Sequence, residues 1–196
     1  RRLVQALELG AAGAVLDVAT GTGDVALTLA SLHPGVRIVG LDPSSGMLDV
    51  GRGKVEEAGL SERIELIEGD AQDMPFASET FDGACIAFGI RNVPDRLKGL
   101  REMVRVTRPG GRVCVLELGE PRAGVLTPFA RFHVHQVVPR LGALLSGESE
   151  YEYLQASIAA FPSPEAFCDQ MRDAGLSDVA FTAFQFGAVN LYVGRV

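Results

Sequence analysis

The sequence predicts an α/β fold: a mostly parallel, seven-stranded sheet with helices on both faces, closed by a C-terminal antiparallel hairpin. Three observations carry that prediction. Apolar strand-like runs and helix-like runs alternate five times between Val15 and Leu118. A glycine-rich turn, Gly21-Thr22-Gly23, follows the first run and opens a helical pattern. Two short alternating runs, with Phe186-Gly187 between them, end the chain. With 196 residues, 47% of them hydrophobic and 22% charged, the chain suffices for one domain, 1–196, with a substantial core.

Each element has its own signal. Val15–Ala19 reads as a buried strand, and Asp24–Leu32 as a helix with Val25, Ala26, Leu29 and Ala30 on one face. Val36–Leu41 is the second strand. Pro43-Ser44-Ser45 opens the next helix, with Ser44 or Ser45 as its N-cap and Gly59 as its stop. Arg63–Ile67 and Phe81–Phe88 are the third and fourth strands. Pro94 starts a helix that Pro109-Gly110-Gly111 ends, and Val113–Leu118 is the fifth strand. The rhythm then changes. Residues 121–150 are apolar but broken by Pro128, Pro139 and Gly142, which reads as one or two helices of a lid or acceptor insert reaching to about residue 160. Ser163–Ala174 is a further helix, and Val179–Phe184 with Val189–Val193 form the hairpin.

Composition excludes several classes. Net charge is -7 and no Lys/Arg cluster appears, which argues against a nucleic-acid partner. Cys85, Cys114 and Cys168 lie in apolar segments without metal-type spacing, so they read as small core residues in a reducing compartment, and no metal is expected. No apolar run approaches the ~20 residues that span a bilayer, and no signal peptide is visible. A cytoplasmic location is expected.

The turn names a ligand class. Gly21-Thr22-Gly23-Asp24-Val25-Ala26 fits a dinucleotide-type loop, and Asp42 closes the second strand where a ribose-binding acid belongs. Both features suit NAD as well as S-adenosylmethionine. Asp17, at the mouth of the first strand, is expected to repel a pyrophosphate and to suit the ammonium of a methionine moiety. Asp70 ends the third strand, placed to accept from an adenine amino group, and Met47 either packs on adenine or serves as helix core.

These pieces resemble the class I S-adenosylmethionine-dependent methyltransferases, which have a Rossmann-like sheet. More narrowly they resemble the UbiE/MenG family, which C-methylates the quinone head group in menaquinone and ubiquinone biosynthesis. The resemblance runs from about Val15 to the C-terminus. It rests on Leu16-Asp17-Val18-Ala19-Thr20-Gly21-Thr22-Gly23-Asp24, on Asp42-Pro43-Ser44-Ser45-Gly46-Met47-Leu48, and on Gly69-Asp70-Ala71 with Met74-Pro75-Phe76. Its most specific phrase is Ala87-Phe88-Gly89-Ile90-Arg91-Asn92-Val93-Pro94-Asp95. The resemblance implies S-adenosylmethionine as cofactor, S-adenosylhomocysteine as product, and a demethylmenaquinol-type prenylated quinol as acceptor. The expected cofactor contacts are Asp17, Ala19, Gly21, Thr22, Gly23, Asp42, Pro43, Met47, Asp70, Ala71 and Ala87. This sequence has His133 where the family often has tyrosine, Tyr192 where it often has histidine, and Asn190 where it has a small residue. The resemblance also implies an N-terminal helical segment, which is expected to be missing or cut short in this sequence.

The chemistry asks for a way to strip a proton from a phenolic hydroxyl, because the neighbouring ring carbon is otherwise a poor nucleophile. Arg91 is the first candidate to bind and polarise that oxygen, with Asn92 orienting it; the alternative is an ion pair of Arg91 with Asp95 or Glu117 that only shapes the loop. His133 is the candidate base, His135 its neighbour, and Tyr153 a candidate for the second quinol oxygen. Glu117 reads as a base or a salt-bridge partner. The 121–150 segment either caps the core or forms a prenyl groove with a reversible membrane contact. A homodimer stays open, as do a different phenolic or polyketide-like acceptor and a non-catalytic cofactor-binding subunit.

Overall fold

The computed structural model describes residues 1–120 and 148–196, with side chains from 153 onward in the second span. The strands are β1 (Gly13–Val18), β2 (Val36–Asp42), β3 (Ile64–Glu68), β4 (Phe81–Ala87), β5 (Thr107–Leu118), β6 (Ser177–Phe184) and β7 (Val189–Arg195). The helices are α1 (Arg2–Ala6), α2 (Asp24–Leu32), α3 (Ser45–Glu57), α4 (Arg96–Val106), α5 (Glu148–Ala159) and α6 (Pro164–Asp173). The seven strands form one sheet in the order β3-β2-β1-β4-β5-β7-β6. All pairings are parallel except those of β7, which runs against both β5 and β6. The predicted fold class is therefore the observed one.

Side-chain alternation along each strand divides the core between the two faces of the sheet. Leu16, Val18, Val39, Ile86, Val113 and Val115 pack with Leu100 and Met103 of α4 and Phe167 and Met171 of α6. Val15, Ile38, Cys85 and Cys114 pack on the opposite face with Leu3 and Val4 of α1, Leu29 of α2 and Leu48 of α3. The three cysteines are free and buried. They are the small core residues that the apolar context predicts. Helix ends follow local chemistry. Ser44 Oγ accepts from the Met47 N–H, and Ser163 Oγ accepts from the Ala166 N–H. After α3 the Gly59 N–H bonds Glu56 O and the Leu60 N–H bonds Val55 O, a Schellman stop that requires the left-handed φ of +68° at Gly59.

Several element ends shift by one or two residues, and three departures are larger. α1 was not foreseen, since five residues carry too little periodicity to register. α4 starts after an Asp95 cap rather than at Pro94, because Ile90–Asn92 first makes a 3-10 turn. It also stops at Val106, and β5 begins at Thr107 rather than Val113. Pro109-Gly110-Gly111 thus lies inside a strand instead of ending a helix. Thr107 pairs with Phe81 across a register shift, and both the Gly110 N–H and Gly111 O bond Val196. That pairing recruits a segment whose composition suggests only a turn. Of the anticipated lid insert, α5 and residue 160 after it are described; the remainder lies outside the described residues.

Candidate active site

The carboxyl ends of β1, β2 and β4 converge on a cleft of about 630 Å3, within the roughly 300–1,000 Å3 typical of small-molecule sites. Its floor is the turn Ala19–Thr22. Ala19 and Gly21 both hold positive φ, +51° and +57°. A side chain at Gly21 would also place Cβ 3.0 Å from Met47 Cε, so glycine permits both the turn and the close methionine. Gly89 admits a second close approach: its Cβ would fall 2.5 Å from that of Ala19.

Asp42 is buried at the end of β2, and its carboxylate organises the turn. Oδ2 accepts the Gly21 N–H at 2.9 Å and Oδ1 the Ser44 N–H at 2.9 Å. Each oxygen keeps a lone pair, and the residue lines the cleft, so two acceptors remain for vicinal hydroxyls. Asp70 accepts from the Gln72 N–H and from its side-chain amide, bonds that hold the carboxyl below its usual range. Thr22 Oγ1 and Asp24 are tied together and both take Lys54 Nζ, at 2.8 and 2.9 Å. That lysine bond is the main reason the Asp24 carboxyl is lowered. Asp42 and Asp70 line the cleft, Asp24 is offset by Lys54, and among the described residues Arg1 is the one cationic residue in the lining. This balance suits a sulfonium and an ammonium better than a pyrophosphate. Volume, the turn and the charge balance all fit S-adenosylmethionine.

Ala19, Gly21, Thr22, Asp42, Pro43, Met47, Asp70, Ala71, Ala87 and Asn92 all line this cleft. Gly23 sits one step back, at φ +78° as the N-cap of α2. Asp17 needs correction. Strand alternation points it the same way as Val15, under the first turn of α2, so it is buried instead of facing the cleft. Its Oδ2 accepts from Thr20 Oγ1 at 2.6 Å and its Oδ1 meets Cys85 Sγ at 3.7 Å. Burial pushes its pKa up to about 7, against the lowering effect of bonds to Thr20, Cys85 and the Ala26 backbone. Asp17 braces the turn from below.

Arg91 is corrected in the same way. Its Nη1 donates to Glu117 Oε1 at 2.8 Å and to Phe88 O, and its backbone N–H donates to Glu117 Oε2 at 3.2 Å. Of the two readings of Arg91, the structure shows the ion pair, with Glu117 as partner rather than Asp95. Glu117 is fully buried and also accepts the Leu118 N–H; burial raises its pKa against these bonds. Asn92 reaches the cleft, and Tyr153 Oη of α5 donates to its Oδ1 at 3.3 Å. His133 and His135 lie outside the described residues.

Sequence reasoning missed other walls. Leu3 and Val4 of α1 line one side, and Phe88, Val93 and Pro94 line another. The loop after β3 is held by Glu102 and Arg105, which bond the Met74 N–H and the carbonyls of Met74 and Phe76. An i,i+3 Glu-Arg pair on a helix was a visible signal; its loop partners were not.

A solved S-adenosylmethionine-dependent methyltransferase from Aquifex aeolicus shares the fold, with a TM-score of 0.68 at 18% identity, over 96% of this chain and 86% of that one. The sequence is 43% identical over 196 residues to the ubiquinone/menaquinone biosynthesis C-methyltransferase UbiE of Geobacter sulfurreducens, covering 100% of this chain and 77% of that protein. It is 44% identical over 181 residues to the demethylmenaquinone methyltransferase of Deinococcus radiodurans, covering 92% of this chain and 74% of that protein. Residues 2–195 match the ubiE/COQ5 methyltransferase family. The chain belongs to that family and is an enzyme that uses S-adenosylmethionine as its methyl donor.

Proposed function

We propose that the chain transfers the methyl group to a ring carbon of a demethylmenaquinol-type prenylated quinol. The observation that carries this reading is the 43–44% identity, over most of both chains, to proteins named for that chemistry. The cofactor supplies an electrophilic methyl on a sulfonium. The protein's part is alignment, which is worth roughly 7–11 kcal/mol at best, and exclusion of water.

Asp42 would hold the ribose hydroxyls, Asp70 and Ala71 the adenine edge, and Met47 the adenine face. The turn at Ala19–Gly21 would carry the methionine portion. On the acceptor side Asn92 would take the quinol oxygen, steadied by the Tyr153 hydroxyl. Arg91 would act through Glu117 and the Phe88 carbonyl rather than on the acceptor itself. His133 remains the candidate base.

A prenyl tail also asks for a membrane surface. Among the described residues no helix is long and apolar enough to cross a membrane. The exposed Tyr153 and Phe186 support a peripheral contact instead. The test is methyl transfer from labelled S-adenosylmethionine to chemically reduced demethylmenaquinone, followed by mass spectrometry. A product heavier by one methylene unit is expected. Methylation of soluble phenols with none of the quinol would move the acceptor to another class, and cofactor binding without any transfer would remove the enzymatic reading.

A further inference from the structure

We propose that the Phe88 ring is the platform against which an aromatic acceptor stacks, held out for that purpose by the Arg91–Glu117 pair. The inference deepens the reading above and rests on its claim that the acceptor is an aromatic ring.

Phe88 follows the last residue of β4 and lines the cleft beside Ala87, Asn92, Val93 and Pro94. Its φ is +57°, a left-handed conformation that bulky residues rarely adopt and that costs backbone energy. Two bonds hold it there. Its N–H donates to Leu116 O at 2.8 Å, and its carbonyl accepts from Arg91 Nη1. Arg91 is itself fixed by both oxygens of the fully buried Glu117. The cleft edge thus invests a buried ion pair and an unfavourable backbone state in one residue. The residue gains little internally from that arrangement, because Phe88 stays 41% exposed. A ligand ring would supply the missing contact. Aromatic pairs favour offset or edge-to-face stacking and gain beyond the area they bury. Phe88 lines the same cleft as Ala19 and Leu116, and its neighbour Gly89 packs so closely on Ala19 that an added Cβ would fall 2.5 Å from that residue's Cβ, which sets Phe88 beside the turn that would carry the methyl donor. A stacked acceptor would therefore lie next to the donor.

The test uses 2-naphthol, a redox-stable aromatic hydroxyl, bound to the complex of the whole protein with S-adenosylhomocysteine. Ligand affinity is read by NMR titration and cofactor affinity by calorimetry. Phe88→Gly relieves the backbone, Phe88→Leu keeps bulk without a ring, and Phe88→Tyr keeps the ring. Losing the stack is expected to weaken 2-naphthol about tenfold or more in the glycine variant, about three- to tenfold in the leucine variant, which keeps the apolar contact, and less than about twofold in the tyrosine variant. S-adenosylhomocysteine affinity should stay within about twofold of wild type throughout. Unchanged 2-naphthol affinity in the leucine variant, no 2-naphthol binding to the wild type, or equal loss of cofactor affinity would each overturn the proposal. Failure of the substrate reading looks different: 2-naphthol binds through Phe88, yet no methyl reaches the reduced quinone.

Discussion

Removing the Arg91 side chain should destabilise the fold chiefly by stranding a carboxylate. Glu117 is 0% exposed and Arg91 12%, so their contact lies in a region where water cannot replace a lost partner. Breaking one side of a buried pair costs roughly 3–5 kcal/mol, much of it from the unpaired charge. We take about 3 kcal/mol for Arg91→Ala, because Glu117 keeps the Leu118 and residue-91 backbone N–H groups. At roughly 2–4 °C per kcal/mol for a chain of this size, the melting temperature falls by about 6–12 °C. Adding Glu117→Gln removes the stranded charge and should restore about half of the loss, only partly because a single amide oxygen replaces two acceptors. Acid should help as well. The folded-state pKa of Glu117 is raised, so the folded chain holds that proton more tightly than the unfolded one. Its contribution is fully present below the ordinary glutamate pKa of 4.5 and is lost as pH rises through the folded value. Taking the arginine away raises that value further, so the deficit of Arg91→Ala should shrink on acidification. Thermal unfolding of the four proteins of the cycle at two pH values decides it. Strictly additive losses, or a deficit that grows in acid, would refute the stranded-charge account.

Three further predictions concern the donor side. Asp17 has its pKa raised from 3.8 to about 7, so its stabilising contribution is complete below 3.8 and is lost as pH rises through about 7. Asp17→Asn should flatten the stability profile there by up to about 1.4 kcal/mol per pH unit; identical slopes in urea titrations would remove the assignment. Asp42→Ala should weaken S-adenosylhomocysteine about tenfold or more in calorimetry, as expected for a lost charged hydrogen bond, and unchanged affinity would take Asp42 out of the site. Gly89→Ala places a methyl 2.5 Å from Ala19 Cβ, so the floor of the cleft must shift; a loss of about 1–3 kcal/mol by denaturant melts is expected, and full stability would show that the approach is slack.

The division between legible and illegible features is physical. Strands buried on both faces announce themselves as continuous apolar runs, and a parallel sheet brings their carboxyl ends together. Asp42 and Asp70 could therefore be assigned to one site although 28 positions separate them. The direction of Asp17 was also available, because period-two alternation groups it with Val15, but the reading followed the ligand instead of the pleat. Other features have no local signature. Arg91 and Glu117 are 26 residues apart, and Lys54 reaches Thr22 across 32. Glu117 was recognised as an ion-pair candidate, yet nothing local chose it over Asp95. A left-handed Phe88 follows no propensity rule; it exists because tertiary bonds hold it.

The two halves of the cleft are stabilised in different ways, and this difference bears on function. On the donor side glycine relieves the turn at Gly21, and carboxylates accept backbone amides they would need to accept in any case. That half also holds Ala19 at a left-handed φ of +51°, but with a methyl in place of a bulky side chain, and it can be formed before a ligand arrives. On the acceptor side a bulky residue occupies a left-handed conformation and depends on one arginine bonded to one buried glutamate. Perturbing that support should therefore damage acceptor binding well before cofactor binding. If Arg91→Lys, which keeps the charge but loses the planar fork, lowered both affinities equally, the halves would be mechanically coupled and this division would be wrong.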